Sequence, residues 1–353
     1  MPAEDTNISA PSSVSGRIIA AGIVIAFCYF AASVLVTLVV AVLLTYFLDP
    51  VVNWMEEMHI PRGLGSLVVV MVTIGLLVVM AYSLVERIDQ FGADWESYRK
   101  PIKAAVDAVS KKAESVEAHV SEIAPADKSG KQQVVAITES HGVRDALISK
   151  AGSFSEFLLS AAFVPFLVFF MLAAKRQVWH ATMQLFPPNQ RTQVKQTLSD
   201  VTMVLRSYVV GTAMVGLVLV VASWLFFWMI GIEFPFLTAL VSGLFNLIPY
   251  LGVFLSMMPP LLIGLKQFHT VGPFIGIFVM LTLLHLVAAN LLVPALVGWR
   301  VRLNALALTL SLLFWGWLWG PMGLILSIPI TAVIKVICDH VEGWQPIGRW
   351  LSA

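Results

Sequence analysis

Seven long apolar stretches divide this chain of 353 residues. A helix needs about 20 consecutive apolar residues to cross about 30 Å of hydrocarbon, and each stretch reaches that length. Because lipid offers no hydrogen-bond partners to an open backbone, helices are the expected form of such stretches. The sequence therefore predicts an all-α, polytopic integral membrane protein with about seven or eight membrane segments. The stretches are 17–48, 64–85, 154–174, 207–230, 236–265, 272–297 and 305–337.

Composition and short motifs exclude several classes of function. Charged residues make up 12% of the chain, against about 25% in an ordinary soluble domain. The net charge of +1 gives no general attraction to nucleic acid, so no nucleic-acid partner is expected. Cys28 and Cys338 lie far apart and fit no metal-binding spacing, so neither a metal nor a cofactor is expected. The sequence patterns of metalloproteases, serine hydrolases and P-loop proteins are missing, and we expect that the protein is not an enzyme.

A charged insert separates the second and third apolar stretches. Residues 86–150 carry 21 charged side chains, nearly half of those in the chain. Within them, apolar residues recur in alternating steps of four and three, from Ile102 to Ile123, which predicts a helix whose stripe needs a facing helix. That partner is either a second helix of the same insert or another protomer. The predicted parts are a polar leader 1–16, membrane segments 17–85, a helical extramembrane insert 86–152, a span 153–174, a basic cytoplasmic loop 175–206, a transport core 207–337 and a tail 338–353.

The basic residues predict an unusual path through the membrane. The segment 175–206 carries five basic side chains against one acidic one, and the short loop 298–304 carries Arg300 and Arg302. Short basic loops stay on the cytoplasmic side, so both segments should lie on that side. Three apolar stretches lie between them, and three full crossings would separate them. The conflict disappears if the middle stretch, 236–265, enters and leaves on one face.

Glycine and proline interrupt this middle stretch and also the last one. The first interruption is the run Asn-Leu-Ile-Pro-Tyr-Leu-Gly at 246–252, and the second lies between Gly316 and Gly323. Proline removes a backbone donor and glycine tolerates a chain reversal. We therefore expect two units, 207–265 and 272–337, each consisting of a straight span and a broken, re-entrant hairpin, inserted from opposite faces. Paired interruptions of this kind indicate an inverted-repeat transporter with a binding site near the midplane.

The interrupted segments contain the predicted solute-binding residues, because non-helical backbone at membrane depth must line a cavity or be buried in protein. We expect a small polar solute to bind between the two hairpins. In the first unit the predicted residues are Ser242, Asn246, Pro249 and Gly252. In the second unit they are Asn290, Pro294, Gly320 and Gly323.

His285 and Glu233 are the predicted residues for ion or proton coupling. His285 lies well inside a straight span, where an ionisable side chain is a functional hypothesis by default. The alternative for His285 is a neutral imidazole bonded to a backbone carbonyl. Glu233 lies at the end of a stretch, and its alternative is an interfacial residue.

These motifs resemble those of the autoinducer-2 exporter family of bacterial permeases. The resemblance covers nearly the whole chain, and its most specific parts are 245–252 with Pro259, Asn290 with Pro294, and 317–323 leading to Pro329. It implies a multi-pass transporter of the bacterial inner membrane that assembles as a homo-oligomer, with the pentamer as one expected form. Some relatives export autoinducer-2, and others resemble sodium/proton antiporters. Leu303-Asn304-Ala305 stands where the family often has a proline after the basic loop.

Three functions remain open from the sequence. The first is a secondary transporter or exporter of a small polar metabolite or of a signalling molecule similar to autoinducer-2. The second is a sodium (or other cation)/proton antiporter, with H⁺ or Na⁺ as the coupling ion. The third is a membrane scaffold that uses the charged insert to bind partners and moves no solute.

Overall fold

The computed structural model describes residues 14–93, 151–246, 248, 251–297 and 303–352. Within these residues every regular element is a helix, which confirms the all-α prediction. Residues 94–150 of the insert, with its heptad stripe, most of the leader, and the loop at Arg300 and Arg302 lie outside the described residues. The elements in chain order are α1 (Val14–Phe30), α2 (Ala32–Glu57), α3 (Arg62–Ala93), α4 (Ala151–Ala173), α5 (Lys175–Gln184), α6 (Arg191–Met229), α7 (Pro235–Phe245), α8 (Gly252–Gln267), α9 (Gly272–Val287), a π-helix (Ala288–Val297), α10 (Ala305–His340) and α11 (Gln345–Leu351).

The described helices are those of a polytopic membrane protein. Five of them are long and apolar enough to cross a bilayer, and α4 with α5 makes a sixth if this pair, bent by 73°, is counted as one span. The prediction of a polytopic helical membrane protein is therefore confirmed. The first stretch, 17–48, is divided at Ala31 into α1 and α2. Hydrogen bonds continue through the break, from Ala31 N–H to Phe27 O and from Leu35 N–H to Ala31 O.

Helices α2, α3 and α4 form an N-terminal bundle. Their buried residues make one apolar cluster, which includes Ala41, Val52, Val69 and Leu172. Without a hydrophobic driving force between helices in lipid, such a cluster is held by close van der Waals packing. The bundle is joined to the rest of the chain by α5 and the start of α6. Residues 175–206, which the sequence indicates as a loop, are therefore helical over most of their length.

Helix α6 is the axis on which the C-terminal half is built. Its 39 residues correspond to about 58 Å of helix, so that it passes well beyond one end of a bilayer. Gly211 lets the π-helix cross it closely, because a Cβ at Gly211 would lie 2.7 Å from the carbonyl oxygen of Leu296. Both predicted hairpins pack against this one helix.

Helices α7 and α8 form the first hairpin, called hairpin 1 below. Its two ends are held together, since Glu233 N–H donates to Gln267 Oε1 at 3.0 Å and the Gln267 amide donates to Gly231 O. These ends lie beside the C-terminal end of α6, where the rings of Trp224 and Phe236 stack edge to face with centroids 5.7 Å apart. An apolar cluster that includes Phe227, Met257 and Ile277 joins hairpin 1 to α6 and α9.

Helix α10 is folded back on itself and forms hairpin 2. Gly320 breaks the helix with φ 62° and ψ −143°, which leaves two legs, 305–319 and 321–340. Ser311 Oγ donates to Ser327 O at 3.2 Å, although 16 residues of straight helix would separate them by about 24 Å. Trp315 Nε1 also donates to Thr331 Oγ1 at 3.3 Å. The predicted re-entrant hairpin is therefore present here.

The two hairpins enter from opposite ends of α6. Hairpin 2 begins and ends beside the N-terminal half of α6, where His340 Nε2 lies 3.2 Å from Asp200 Oδ2 and Val336 packs on Val204. Hairpin 1 begins and ends at the C-terminal end of the same helix. The start of α10, which follows the basic loop 298–304, thus lies at the same end as the basic segment 175–206. This is the arrangement that the parity of basic loops predicts.

Gly323 provides a test of the close contact between the legs of hairpin 2. A Cβ at this position would collide with the Trp315 carbonyl of the opposite leg. Because the neighbouring atoms are backbone, Gly323→Ala should destabilise the protein by about 1–3 kcal/mol, which is typical of overpacking. We expect the midpoint of thermal unfolding of the purified protein to fall by several degrees.

The matched control is Gly75→Ala, because nothing lies within 4 Å of a Cβ at Gly75 on α3. This variant should unfold at or slightly above the midpoint of the wild type. Equal midpoints for Gly323→Ala and the wild type would contradict the close packing of the two legs.

Candidate transport site

A cavity of about 390 Å³ lies between hairpin 1, α6, α9 with its π-helix, and the legs of hairpin 2. Its volume is within the range of about 300–1,000 Å³ that is usual for small-molecule sites. Most of the wall is apolar, and a few polar side chains converge on it. The polar ones are Tyr208, Thr212, Asn246 and His285, and hairpin 2 contributes Leu308 and Ile328.

The tip of hairpin 1 forms one side of this cavity. Asn246 caps the end of α7 and Gly252 begins α8, and both residues line the cavity. Gly252 N–H donates to Ile248 O at 2.8 Å, which satisfies one backbone group of the reversal. A Cβ at Gly252 would lie 2.8 Å from Asn246 Cα and 3.0 Å from the carbonyl oxygens of Asn246 and Phe245. Only glycine allows the chain to return this closely, so the sequence signal at 246–252 has a direct steric cause.

His285 on α9 holds the tip of hairpin 1 from the opposite wall. Its Nε2 lies 3.0 Å from Asn246 Oδ1 and 3.4 Å from Ser256 Oγ on α8. Its Nδ1 lies 2.7 Å from the carbonyl oxygen of Leu281. A carbonyl oxygen can only accept, so Nδ1 carries a proton and donates it to Leu281 O. The bond to a backbone carbonyl, offered by the sequence as the alternative for His285, is thus present together with a contact in the cavity.

The protonation state of His285 determines how the Asn246 amide is oriented. With Nδ1 protonated, a neutral imidazole has only a lone pair at Nε2, and it requires the Asn246 amide to turn its NH₂ group toward the ring. A protonated imidazolium instead donates from Nε2 to Asn246 Oδ1. One proton on His285 therefore reverses a hydrogen bond that ends at the tip of hairpin 1.

Ser242 lies one turn before Asn246 on α7 and is 3% exposed. Its hydroxyl, like that of Thr282 on α9, has no hydrogen-bond partner among the described residues. A buried hydroxyl without a partner costs about 1–3 kcal/mol, and such groups in native proteins call for an explanation. Ser242 supports the tip from inside the protein and does not line the cavity.

The structure does not bring the other predicted residues to the cavity. Asn290 is exposed and its amide donates to Leu286 O at 2.8 Å. The π-helix places Ala289, Val293 and Val297, which recur every four residues, on the cavity wall, and this register leaves Asn290 and Pro294 off that wall. Glu233 is exposed at the far end of hairpin 1 and is also remote from the cavity. Pro249 lies outside the described residues.

The cavity lies between the two hairpins, but it reaches only the legs of hairpin 2 and not its tip. Gly320 and Gly323 form the tip of hairpin 2, and neither lines the cavity. This tip lies against α1, where Trp319 Nε1 donates to Cys28 O at 3.0 Å. From Leu308, which does line the cavity, Gly320 is 12 residues or about 18 Å along the helix. Hairpin 2 therefore contributes its legs to the cavity, while only hairpin 1 contributes its tip.

Tyr208 and Thr212 on α6 are cavity residues that the sequence reasoning missed. They lie four residues apart, as does Gly216 after them, and all three line the cavity on one face of α6. A stripe of polar and small residues at this spacing in an apolar span was the available signal.

Comparison with known proteins shows to which family the chain belongs. The profile of the family described as AI-2E family transporter matches residues 18–343. The chain belongs to the AI-2E transporter family. Among its relatives, YrrI of Bacillus subtilis is 28% identical over 325 residues, with 87% of this chain and 86% of the relative covered. The AI-2 transport protein TqsA of Escherichia coli K12 is 25% identical over 329 residues, which cover 92% of this chain and 90% of TqsA.

A third AI-2E relative, YhhT of Escherichia coli K12, is 24% identical over 330 residues, with 94% of this chain and 91% of YhhT covered. All three alignments run through nearly the full length of both chains, so the membrane helices and the cavity described above belong to the shared region. Membership in the AI-2E family makes this chain a multi-pass membrane transport protein. The resemblance inferred from residues 245–252 and 317–323 is thereby confirmed.

Proposed function

We propose that this protein is a secondary transporter of the bacterial inner membrane that exports a small polar solute similar to autoinducer-2. The observation that carries the proposal is the cavity at the unwound tip of hairpin 1, with Asn246 and His285 on its wall. Its mostly apolar wall and few convergent polar groups are typical of a site that selects a small molecule by a few hydrogen bonds. The family profile and the relative named as an AI-2 transport protein support transport as the activity.

The positions of the lining residues support an opening of the cavity toward the cytoplasm in this state. The cavity is lined by Tyr208, Val297 and Leu303, all toward the end of α6 that carries the basic segments. Since basic segments stay on the cytoplasmic side, the cavity in this state faces the cytoplasm. On the other side of the tip, the apolar cluster around Phe227 and Met257 closes the path, with relative exposures of 0% and 7%. Outward release then requires hairpin 1 to move away from α6 and α9.

The hydrogen bond between His285 and Asn246 helps to hold hairpin 1 in the closed position, and a polar solute can replace this bond. A solute that donates to or accepts from Asn246 competes with His285 for the same amide. Exchange of one hydrogen bond for another has a small net free energy, so solute binding can release the tip without leaving a buried group unpaired. The proposed transport step is therefore a small opening of hairpin 1 that is triggered by occupancy of the cavity.

Paired asparagine variants test this proposal. Asn246 lines the cavity, whereas Asn290, in the neighbouring span, is exposed and outside it. Removal of a buried hydrogen-bond partner costs about 1–3 kcal/mol. A loss of about 1.4 kcal/mol weakens binding about tenfold. We expect Asn246→Ala to lower solute flux in proteoliposomes about tenfold or more, and Asn290→Ala to keep it near that of the wild type.

Metabolite profiles of cells with and without the protein would supply the solute for this assay. Both variants should unfold at similar temperatures, which separates transport from folding. Full flux through Asn246→Ala, or an equal loss in both variants, would contradict a binding site at this cavity.

Cation/proton antiport is the second candidate, and the geometry of His285 favours it over a purely passive route. A proton on Nε2 reverses the hydrogen bond to Asn246, so the tip of hairpin 1 is directly connected to one titratable group. Glu233 lacks such a connection, because it is exposed at the far end of hairpin 1.

Histidine variants test the coupling. His285→Gln keeps a hydrogen-bonding side chain but cannot take up a proton. If protons are coupled to transport, an imposed pH gradient should drive flux through the wild type and leave flux through His285→Gln unchanged. The control is His269→Gln, because His269 is exposed in the loop between α8 and α9. A pH-gradient response that survives in His285→Gln would exclude His285 as the coupling residue.

A further inference from the structure

We propose that a phosphate-bearing headgroup of an anionic phospholipid binds at the elbow between α4 and α5. A second cavity, of about 280 Å³, lies at this elbow and is separate from the transport cavity. Its wall consists of Asn53, Arg62, Lys175, Arg176, Trp179 and His180. Three side chains of this wall are cations, and no carboxylate lines it.

The charges beneath this wall leave a positive excess. Asp49 is 2% exposed. One of its carboxylate oxygens pairs with Arg62 Nη2 at 2.7 Å, and the other pairs with Lys175 Nζ at 2.7 Å. Glu56 receives Arg62 Nη1 at 3.0 Å and Arg176 Nη2 at 2.9 Å. Three cations thus face two carboxylates, and the described cluster keeps a charge of +1 with His180 neutral. An anion entering the cavity therefore meets donors that are already held in place.

Arg62 is fixed firmly enough to act as part of a built site. Its Nε donates to Leu172 O at 2.8 Å and its Nη1 donates to Asn53 Oδ1 at 2.8 Å, in addition to its two ion pairs. Its side chain is 12% exposed. Arg176, by contrast, is 75% exposed and can turn toward a ligand while Arg62 still neutralises Glu56.

Helix α5 presents its cavity-lining side chains as one stripe. Lys175 and Trp179 are four residues apart, as are Arg176 and His180, so the four project from neighbouring positions of the same helical face. Val178 on α5 is 57% exposed, and Leu185, which caps the end of this helix, is 80% exposed. An exposed apolar side on a helix that bends 73° away from a span is typical of a helix lying in the membrane interface.

Position and charge together favour a lipid over other anions. The elbow lies at the basic, cytoplasmic end of the bundle, where the inner leaflet supplies anionic headgroups. Basic pockets between membrane helices on this side are a known form of headgroup recognition. Trp179 is placed where indole rings are enriched, at the boundary between hydrocarbon and headgroups. A phosphate group accepts hydrogen bonds from Arg176 and Lys175 while the acyl chains remain in the bilayer.

Lipid binding to the purified full-length chain, measured by native mass spectrometry, tests this site. We expect phosphatidylglycerol to bind more tightly than phosphatidylcholine of the same acyl chains. Loss of one basic residue near a membrane surface weakens attraction by roughly fivefold. Arg176→Gln should therefore weaken phosphatidylglycerol binding about fivefold, and His180→Lys should strengthen it. The matched control is Lys195→Gln, which removes the same charge from an exposed position on α6 outside the cavity.

The outcomes separate the possible explanations. An equal effect of Arg176→Gln and Lys195→Gln would mean bulk charge rather than a site, and would overturn the proposal. Equal affinity for both lipids in the wild type would also overturn it. Inorganic phosphate is tested separately, because a free phosphate ion could bind the same cationic side chains as a lipid headgroup. If phosphate displaces phosphatidylglycerol at comparable concentration, the ligand is a free anion and the lipid assignment is wrong.

Discussion

A chain that reverses inside hydrocarbon must satisfy its own backbone, and this constraint shapes both halves of the C-terminal core. Hairpin 1 reverses at membrane depth because Gly252 lacks a Cβ, which would lie 2.8 Å from Asn246 Cα, and because the Ile248 carbonyl accepts the Gly252 N–H. Hairpin 2 reverses at Gly320 with a positive φ that an L side chain rarely adopts. The backbone groups at such a reversal must be paired or buried, since an unpaired backbone group in lipid costs several kcal/mol. The candidate site lies where the first of these reversals meets a neighbouring span.

The long helix α6 holds the two hairpins in a fixed position relative to each other. Both hairpins pack on it from opposite ends, and Gly211 allows the π-helix to cross it within contact of its backbone. The wider turn of the π-helix changes the register of the second span, so that Ala289 and Val293 reach the cavity. Such local expansions of a helix are frequent at functional sites. The two units therefore repeat the same order of elements without contributing equivalent residues to the cavity.

Much of this arrangement could be predicted from particular residues. The basic segments at 175–206 and at Arg300 and Arg302 required an even number of crossings between them, and the run at 246–252 supplied the place for a reversal. The same run contained Asn246 and Gly252, the two described site residues on the tip. The reversal at 246–252 and the common end of the basic segments could be predicted because they depend on local chemistry, namely charge at a membrane surface and glycine at a tight turn. The solute-binding role of Asn246 and Gly252 stays a prediction.

Other parts depend on packing that no local pattern encodes. Asn290 and Ala289 are neighbours in sequence, but Ala289 lines the cavity whereas the Asn290 amide donates to Leu286 O. The depth of hairpin 2 is set by the contact of Trp319 with Cys28, 291 residues away in the chain. Tyr208 and Thr212 were overlooked because single hydroxyls are common in membrane helices, and their role appears only when hairpin 1 is placed beside them.

The central claim is that the tip of hairpin 1 must leave His285 for solute to pass. In a chain without Cys28 and Cys338, cysteines introduced at Met257 on α8 and Leu281 on α9, which belong to one apolar cluster and do not line the cavity, would join hairpin 1 to α9 when oxidised. The account predicts that oxidation forms this disulfide, stops flux in proteoliposomes, and that a reductant restores flux. Full flux through the oxidised, cross-linked protein would contradict the account.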